Sequence, residues 1–337
     1  MEDKTAIIDQ RPTTNDQRIN ALWNKKTSPL ITITTAVRNG RSTIQRTINS
    51  IQSQTFRDIE YIIEDGSDEL NGSDDIIEKF MNSTDIPVMF IRKLNDGGRH
   101  IGRNMMVKEA RGKFLLGIDA DDELTPEACE IFLKAWQSIP EEEKHKYREV
   151  VANCMDDKGN LIGTLFPEAP LSTNAEELRS KYHVKGEKVS IDLAAIRKAN
   201  LFPEPEGVKF VSEGIVWARL GAKYQSYCIN DMLRVYHTEG REQHNLSYWY
   251  SMTFQKCKDG IYNLSCMLNE SEIYQWSFLR YLKNILWYCI LENIVKKKEP
   301  EFVKRYPLKG IKNKFWKAVM FIPAKLGTPV YVRKYMR

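Results

Sequence analysis

The sequence predicts an α/β protein, with a mostly parallel central sheet, helices on both of its faces, and a C-terminal helical, aromatic and basic appendage. Three observations carry this. β-branched runs alternate with amphipathic helical patterns over residues 30–127, the fourth run ends in a dense acidic cluster, and basic residues accumulate after residue 295. The first run, Leu30 to Val37, reads as a strand, and the capping box Ser42-Thr43-Ile44-Gln45 opens a helix with Ile44, Ile48 and Ile51 on one face. Ile59 to Ile63 is the second strand, followed by the polar turn Glu64 to Asp68 and a helix from near Ser73 that carries Ile76, Ile77 and Phe80. Val88 to Ile91, a helix over residues 102–110, and Lys113 to Ile118 complete the alternation. In such sheets ligands sit beyond the carboxyl ends of the strands, where Arg38, Asp65 and the cluster at Asp119 all fall.

That cluster, Asp119-Ala120-Asp121-Asp122, precedes a helix start at Thr125-Pro126-Glu127. Two unit negative charges about 4 Å apart repel by roughly 4 kcal/mol at an effective dielectric of about 20, so three together call for a cation or full solvation. An acidic turn that simply leads into the next helix is the alternative reading. Gly97-Gly98-Arg99-His100-Ile101-Gly102 lacks dinucleotide-fingerprint spacing, Arg38 to Ser42 is no phosphate-cradling glycine loop, and a Walker-type lysine motif is absent, which argues against dehydrogenase and P-loop classes.

Four segments in order resemble the motif series of family-two glycosyltransferases of the GT-A fold, of the bacterial type that builds surface polysaccharides or glycolipids. They are Thr35-Ala36-Val37-Arg38-Asn39, Glu64-Asp65-Gly66-Ser67, Gly102-Arg103-Asn104 with Ala110-Arg111-Gly112, and the aspartate cluster. The likeness covers residues 30–130 and continues more weakly to about residue 240. It implies a nucleotide-diphospho-sugar donor, most commonly a UDP-sugar, held by Thr35, Val37, Arg38, Glu64, Asp65, Arg103, Asp119 and Ala120. Within that set it puts Asp65 on the base, Arg103 near the diphosphate and Asp119 on the ribose, with Asp121 on a divalent metal, Mn2+ or Mg2+. Glu64 stands where such families usually have aspartate, and Asp68 to Ser73 stretches the following turn.

The second half resembles the family's acceptor side. Counting back six residues from Arg219 lands on Glu213, so Ser212-Glu213 replaces the usual acidic pair and Glu213 is the candidate general base of an inverting transfer. The alternative role is stabilisation of the helix N-terminus that begins near Gly214. His237 is a candidate further metal ligand, with a purely structural histidine as the alternative. Lys188, Arg234 and Arg241 are candidates for phosphate contact, with solvated basic residues as the alternative.

At 337 residues, 42% apolar and 28% charged, the chain has the composition of a globular protein. Three regions are expected: a polar arm over 1–28 with a short helix around Ile19, Leu22 and Trp23, a catalytic domain over 29–245 (donor side 29–125, acceptor side 126–245), and the C-terminal region 246–337. Six scattered cysteines without paired spacing, and an N-terminus without secretory features, suit a cytoplasmic setting, at the inner face of the cell membrane if the tail docks there. From Lys296 to Arg337 thirteen Lys or Arg oppose Glu299 and Glu301, a net of +11, so with +5 overall the first 295 residues carry 5 minus 11, or −6. Two readings of this tail stand: peripheral membrane contact, and a helical pair packed on the catalytic domain with solvated lysines. Nucleic acid is disfavoured because the predicted cleft is acidic. Two function classes remain: a metal-assisted inverting glycosyltransferase acting on a saccharide or lipid-linked saccharide, and a GT-A-like non-catalytic scaffold or nucleotidyltransferase that keeps the nucleotide pocket.

Overall fold

The structure is a computed structural model that describes residues 16–25, 28–67, 72–93, 97–237, 252–274 and 276–336. The expected alternation is present: β2 (Ile31–Val37), α1 (Ile44–Gln52), β3 (Ile59–Asp65), α2 (Ser73–Ser83), β4 (Val88–Arg92), α3 (Arg99–Glu109) and β5 (Phe114–Gly117). β4, β3, β2 and β5 lie side by side and parallel, so their carboxyl ends open on one edge of the sheet. Every residue of β3 and β4 is buried, as expected for strands covered on both faces.

The sheet is longer than the alternation alone implies. β1 (Asp16–Ile19) pairs antiparallel with β4 at one edge, so part of the segment read as a polar arm is a sheet strand. The helix expected around Ile19, Leu22 and Trp23 is a single 3-10 turn over Trp23–Lys25, beyond that strand. On the other side β9 (Lys188–Leu193) runs antiparallel between β5 and β7 (Tyr147–Met155), and β10 (Gln225–Val235) is parallel to β7. Short β6 (Glu123–Leu124) pairs with the end of β10, which draws residues 234 and 235 against the aspartate cluster. β8 (Leu171–Thr173) pairs with the start of β10, and α4 (Ala128–Ser138), α5 (Ala175–Ser180), α6 (Ala194–Ala199) and α7 (Glu213–Gly221) fill the connections.

Two cores result. One packs the sheet against α1, α2 and α4 through Ile33, Ile44, Ile48, Ile77, Phe114 and Phe132. The second joins α7 to the C-terminal helices α8 (Phe254–Asn269), α9 (Phe278–Val295) and α10 (Pro300–Arg305), through Ile215, Leu220, Ile261, Tyr288, Ile294 and Phe302. α11 (Gly310–Val319) and α12 (Phe321–Tyr335) follow. The helical core therefore includes the helix that begins at Glu213.

A buried ion pair ties the N-terminal turn to the sheet. Glu60, fully buried on β3, accepts from Thr32 Oγ1 at 2.6 Å and from the backbone N–H and Nε of Arg111, each at 2.7 Å. The Arg111 guanidinium lies 3.7 Å from the Trp23 ring and donates to the Trp23 carbonyl at 2.9 Å. At Gly112 a Cβ would stand 2.5 Å from the Thr32 nitrogen, so only glycine lets the chain run this close to β2. The Arg111-Gly112 motif thus does structural duty. Replacing Glu60 by Ala, which strands Arg111, should cost about 3 kcal/mol in urea denaturation, and an unchanged midpoint would contradict this assignment.

Candidate active site

The four parallel strands deliver the candidate residues to one edge. At the end of β2, Thr35 is buried and accepts from the Tyr61 hydroxyl at 2.9 Å, Val37 is buried, and Arg38 is exposed at the rim. Asn39 turns the chain with a φ of 54°, and its N–H donates to Ser67 Oγ at 2.8 Å, which fastens the first loop to the second.

Glu64 and Asp65 end β3 on opposite faces. Glu64 is buried under α3, where a Cβ on Gly102 would come within 2.2 Å of its carboxylate, so the glycine is what lets the helix settle on the acid. Asp65, 1% exposed, accepts from the Ser67 N–H at 2.9 Å and from the Ser67 hydroxyl. Its Oδ2 is buried with no hydrogen-bond partner among the described residues. Burial pushes its carboxyl above the usual range, against the bonds from Ser67 and the field of Arg92, which itself pairs with Asp74 at 2.9 Å. A desolvated acceptor with one oxygen left over is suited to an N–H donor from outside.

The loop after β5 folds Asp119, Asp121 and Asp122 so that each offers a carboxylate oxygen within 4.8 Å of the others. Ala120 lies half-buried between them. The backbone is fixed from α1: Arg46 Nη2 donates to the Asp121 carbonyl at 2.7 Å and Thr47 Oγ1 to the Asp122 carbonyl at 2.8 Å. Hard oxygen donors at this spacing fit Mg2+ or Mn2+.

Three guanidinium groups close on Asp119. Arg99 Nη2 donates to Oδ1 at 2.8 Å, Arg103 Nη2 to the same oxygen at 3.4 Å, and Arg234 Nη2 to Oδ2 at 2.9 Å. Arg234 also grips the fully buried Asp122, with Nε 2.7 Å from Oδ2. Burial alone would raise the Asp119 carboxyl, but Arg234, Arg99 and Arg103 together hold it well below the carboxylate range. The arginines feel the converse. Burial lowers both Arg103 and Arg234; the crowd of like charges leaves Arg103 pushed down to about 10 despite Asp119, whereas Asp119 and Asp122 raise Arg234 overall.

Arg103 also joins α3 to α7. Its Nη1 pairs with Glu213 Oε1, so the two residues expected on opposite sides of the reaction are in direct contact. Glu213 is the first residue of α7, and the preceding loop is held by α8: Ser212 N–H donates to Asn263 Oδ1 at 2.7 Å, and Lys209 N–H to Asp259 Oδ1 at 2.8 Å. Asn104, from the same motif as Arg103, donates to the Phe202 carbonyl at 2.8 Å and accepts from its N–H at 2.9 Å, bracing the start of that loop.

His237 arrives beside the cluster. Its N–H donates to Asp122 Oδ1 at 3.0 Å, while its ring Nε2 meets Glu123 Oε1 at 2.7 Å, so the contact made by this ring nitrogen is to Glu123. Lys188 donates to the carbonyls of Thr164 and Lys185 at 3.1 and 3.0 Å. Arg234, for which a solvated role was open, is buried between two aspartates. Arg241 and residues 68–71 of the stretched turn lie outside the described residues. Sequence reasoning missed Arg99, although its position one helical turn before Arg103 was a usable signal.

Comparison with known proteins bears on the family likeness and the fold. Residues 32–142 match the family model of glycosyl transferase family 2. GalNAc(5)-diNAcBac-PP-undecaprenol beta-1,3-glucosyltransferase of Campylobacter jejuni is 23% identical over 214 residues, 62% of this chain and 64% of that protein. Three further curated relatives are matched over 30% to 47% of their lengths, so the chain spans less than two thirds of the curated relatives it resembles. Among solved structures, S. aureus TarS 1-349 in complex with UDP-GlcNAc superposes with a TM-score of 0.56 at 16% identity, covering 88% of this chain and 81% of that one. Mannosyltransferase PcManGT from Pyrobaculum calidifontis, in complex with GDP-Man and Mn2+, gives a TM-score of 0.51 at 12% identity over 90% and 87% of the two chains. The fold is therefore that of the GT-A glycosyltransferases. Over residues 32–142 the chain is similar to glycosyl transferase family 2, and the likeness in fold extends beyond that segment.

A carboxylate held below its usual pKa stabilises the fold above the unfolded-state value and ceases to do so as pH falls. The contribution of Asp119 should thus be complete above a pH of about 5 and decline below about 4. Urea denaturation across this range should show a steeper acid loss in the wild type than in Asp119→Asn, and parallel curves would contradict the arginine-ring assignment.

Proposed function

We propose that this protein is an inverting glycosyltransferase that moves a sugar from a nucleotide-diphosphate donor to a hydroxyl of a saccharide or lipid-linked saccharide. The observation that carries the reading is the chain of contacts from Asp119 through Arg103 to Glu213, which joins a carboxylate triad fit for a metal–diphosphate to a single carboxylate on the far side of the cleft. A UDP-sugar is the proposed donor, in keeping with the nucleotide sugar in the TarS complex, and a lipid-linked acceptor accords with the named acceptor of the Campylobacter relative.

In this reading Asp65 Oδ2 accepts an N–H of the base, Thr35 and Val37 shape the base pocket, and Arg38 and Ala120 border the donor. Glu64 supports α3 beneath the site. Asp121 leads the metal set with Asp119 and Asp122, and a divalent cation held there would neutralise the donor diphosphate. Arg99 and Arg103 face the same charge. Glu213 takes the acceptor proton as the acceptor oxygen bonds to the anomeric carbon, and the bond from that carbon to the diphosphate breaks on the opposite face with both electrons leaving on the nucleotide. A single displacement of this kind inverts the anomeric centre. Because Glu213 is paired with Arg103, a diphosphate that draws the guanidinium away frees the base, so donor binding precedes acceptor activation.

The test uses UDP-hexoses and UDP-N-acetylhexosamines with undecaprenyl-diphosphate-linked saccharides, UDP release being followed and the new linkage assigned by NMR. An inverted linkage is expected. Glu213→Gln should bind donor as the wild type does while turnover falls by about a thousandfold; turnover at the wild-type rate would remove Glu213 from the mechanism. Nucleotide binding without transfer to any acceptor would favour the scaffold alternative. Asp65→Asn removes a desolvated charge, so thermal stability should hold or rise while UDP affinity drops by about tenfold; undiminished affinity would place the base elsewhere.

A further inference from the structure

The C-terminal helices carry an apolar face that is exposed among the described residues. α11 and α12 pack inward through Asn313, Trp316, Ala324, Thr328 and Tyr331. Tyr281 on α9 donates to Asn313 Oδ1 at 2.6 Å, Asn293 donates to Thr328 Oγ1 at 3.3 Å, and the Trp287 and Tyr331 rings meet edge to face at 4.9 Å. The outward side is no less apolar. Ile311, Phe315, Val319, Ile322, Leu326 and Val330 recur every three or four residues, and all six are 45% to 89% exposed. The break between the two helices is one residue, Met320, with helical torsions of −80° and 0°.

Scattered exposed apolar side chains need no explanation, but a continuous stripe over two helices does. Its chemistry is further defined by charge. Between Phe302 and Arg337 the sequence has no Asp or Glu and ten Lys or Arg. In helical projection Lys312 lies on one flank of the stripe and Lys314 and Lys325 on the other, all three exposed. Among the described residues no helix is long and apolar enough to cross a membrane.

We propose that the outward face of α11 and α12 is a membrane-docking surface, which lies in the plane of a bilayer with Ile311, Phe315, Ile322, Leu326 and Val330 among the acyl chains and the flanking lysines on anionic headgroups. Charge complementarity selects this occupant. An apolar stripe alone would suit a second copy of the chain equally well, whereas an acid-free basic border repels its own copy and attracts an anionic leaflet. The proposal stands apart from the transferase reading, because its readout is binding to lipid.

The full chain is sedimented with vesicles of phosphatidylcholine alone and of phosphatidylglycerol mixed with phosphatidylcholine. Binding to the mixed vesicles that weakens with salt is expected. Ile322→Asp with Leu326→Asp, both at exposed sites and checked for an unchanged circular dichroism spectrum, should reduce the partition coefficient by about tenfold or more. Lys312→Gln, Lys314→Gln and Lys325→Gln together should abolish the preference for phosphatidylglycerol. No vesicle binding by the wild type, or binding that the double aspartate variant retains, overturns the proposal. So does a wild-type dimer in light scattering that the same variant dissociates, which would give the face to a second copy, or capture of RNA in preference to vesicles.

Discussion

Asp119 stands among three guanidinium groups that reach it from two elements far apart in sequence, and the geometry of the candidate site follows from that arrangement. Arg99 and Arg103 come from α3, and Arg234 comes from the end of β10. One carboxylate cannot neutralise three cations. The remainder is shared out to Asp122 through Arg234 and to Glu213 through Arg103, so the cluster fixes the relative positions of β5, β10, α3 and α7 at once. Guanidinium groups and carboxylates therefore interleave at the strand ends, each pairing with a neighbour of opposite sign.

The carboxylates at the strand ends were legible in the sequence, and the arginines gathered around them were not. Strand and helix periods in residues 30–118 are local signals, and Asp65 and the aspartate cluster lie where those periods end, so their placement at the sheet edge needed no long-range information. The arginine ring is different. Arg234 meets Asp119 across 115 residues, and nothing near position 234 distinguishes a buried arginine from a solvated one. β1 escaped notice for a similar reason: four residues with little apolar character become a strand because β4 presents an open edge and Arg111 waits for Trp23.

Glu213 shows a third situation. Its type and its place at a helix start were legible, and both roles considered for it, helix N-terminus and base, remain compatible with its position as the first residue of α7. Its setting was hidden, because Asn263 and Asp259 on α8 hold the loop that aims it. The C-terminal region, which composition separates from the rest of the chain, thus holds the loop before Glu213 through its inner helices, while its outermost two keep an apolar face exposed among the described residues.

The claim that the aspartate triad and its arginine ring form a nucleotide-diphosphate site is tested most directly by calorimetric titration of UDP into the full chain, with and without Mn2+, in the wild type and in Asp121→Asn. The account predicts binding that Mn2+ strengthens by about tenfold or more, with the variant losing the metal-dependent part. Equal binding by both proteins with and without the ion, or no binding of UDP or GDP by the wild type, would contradict it.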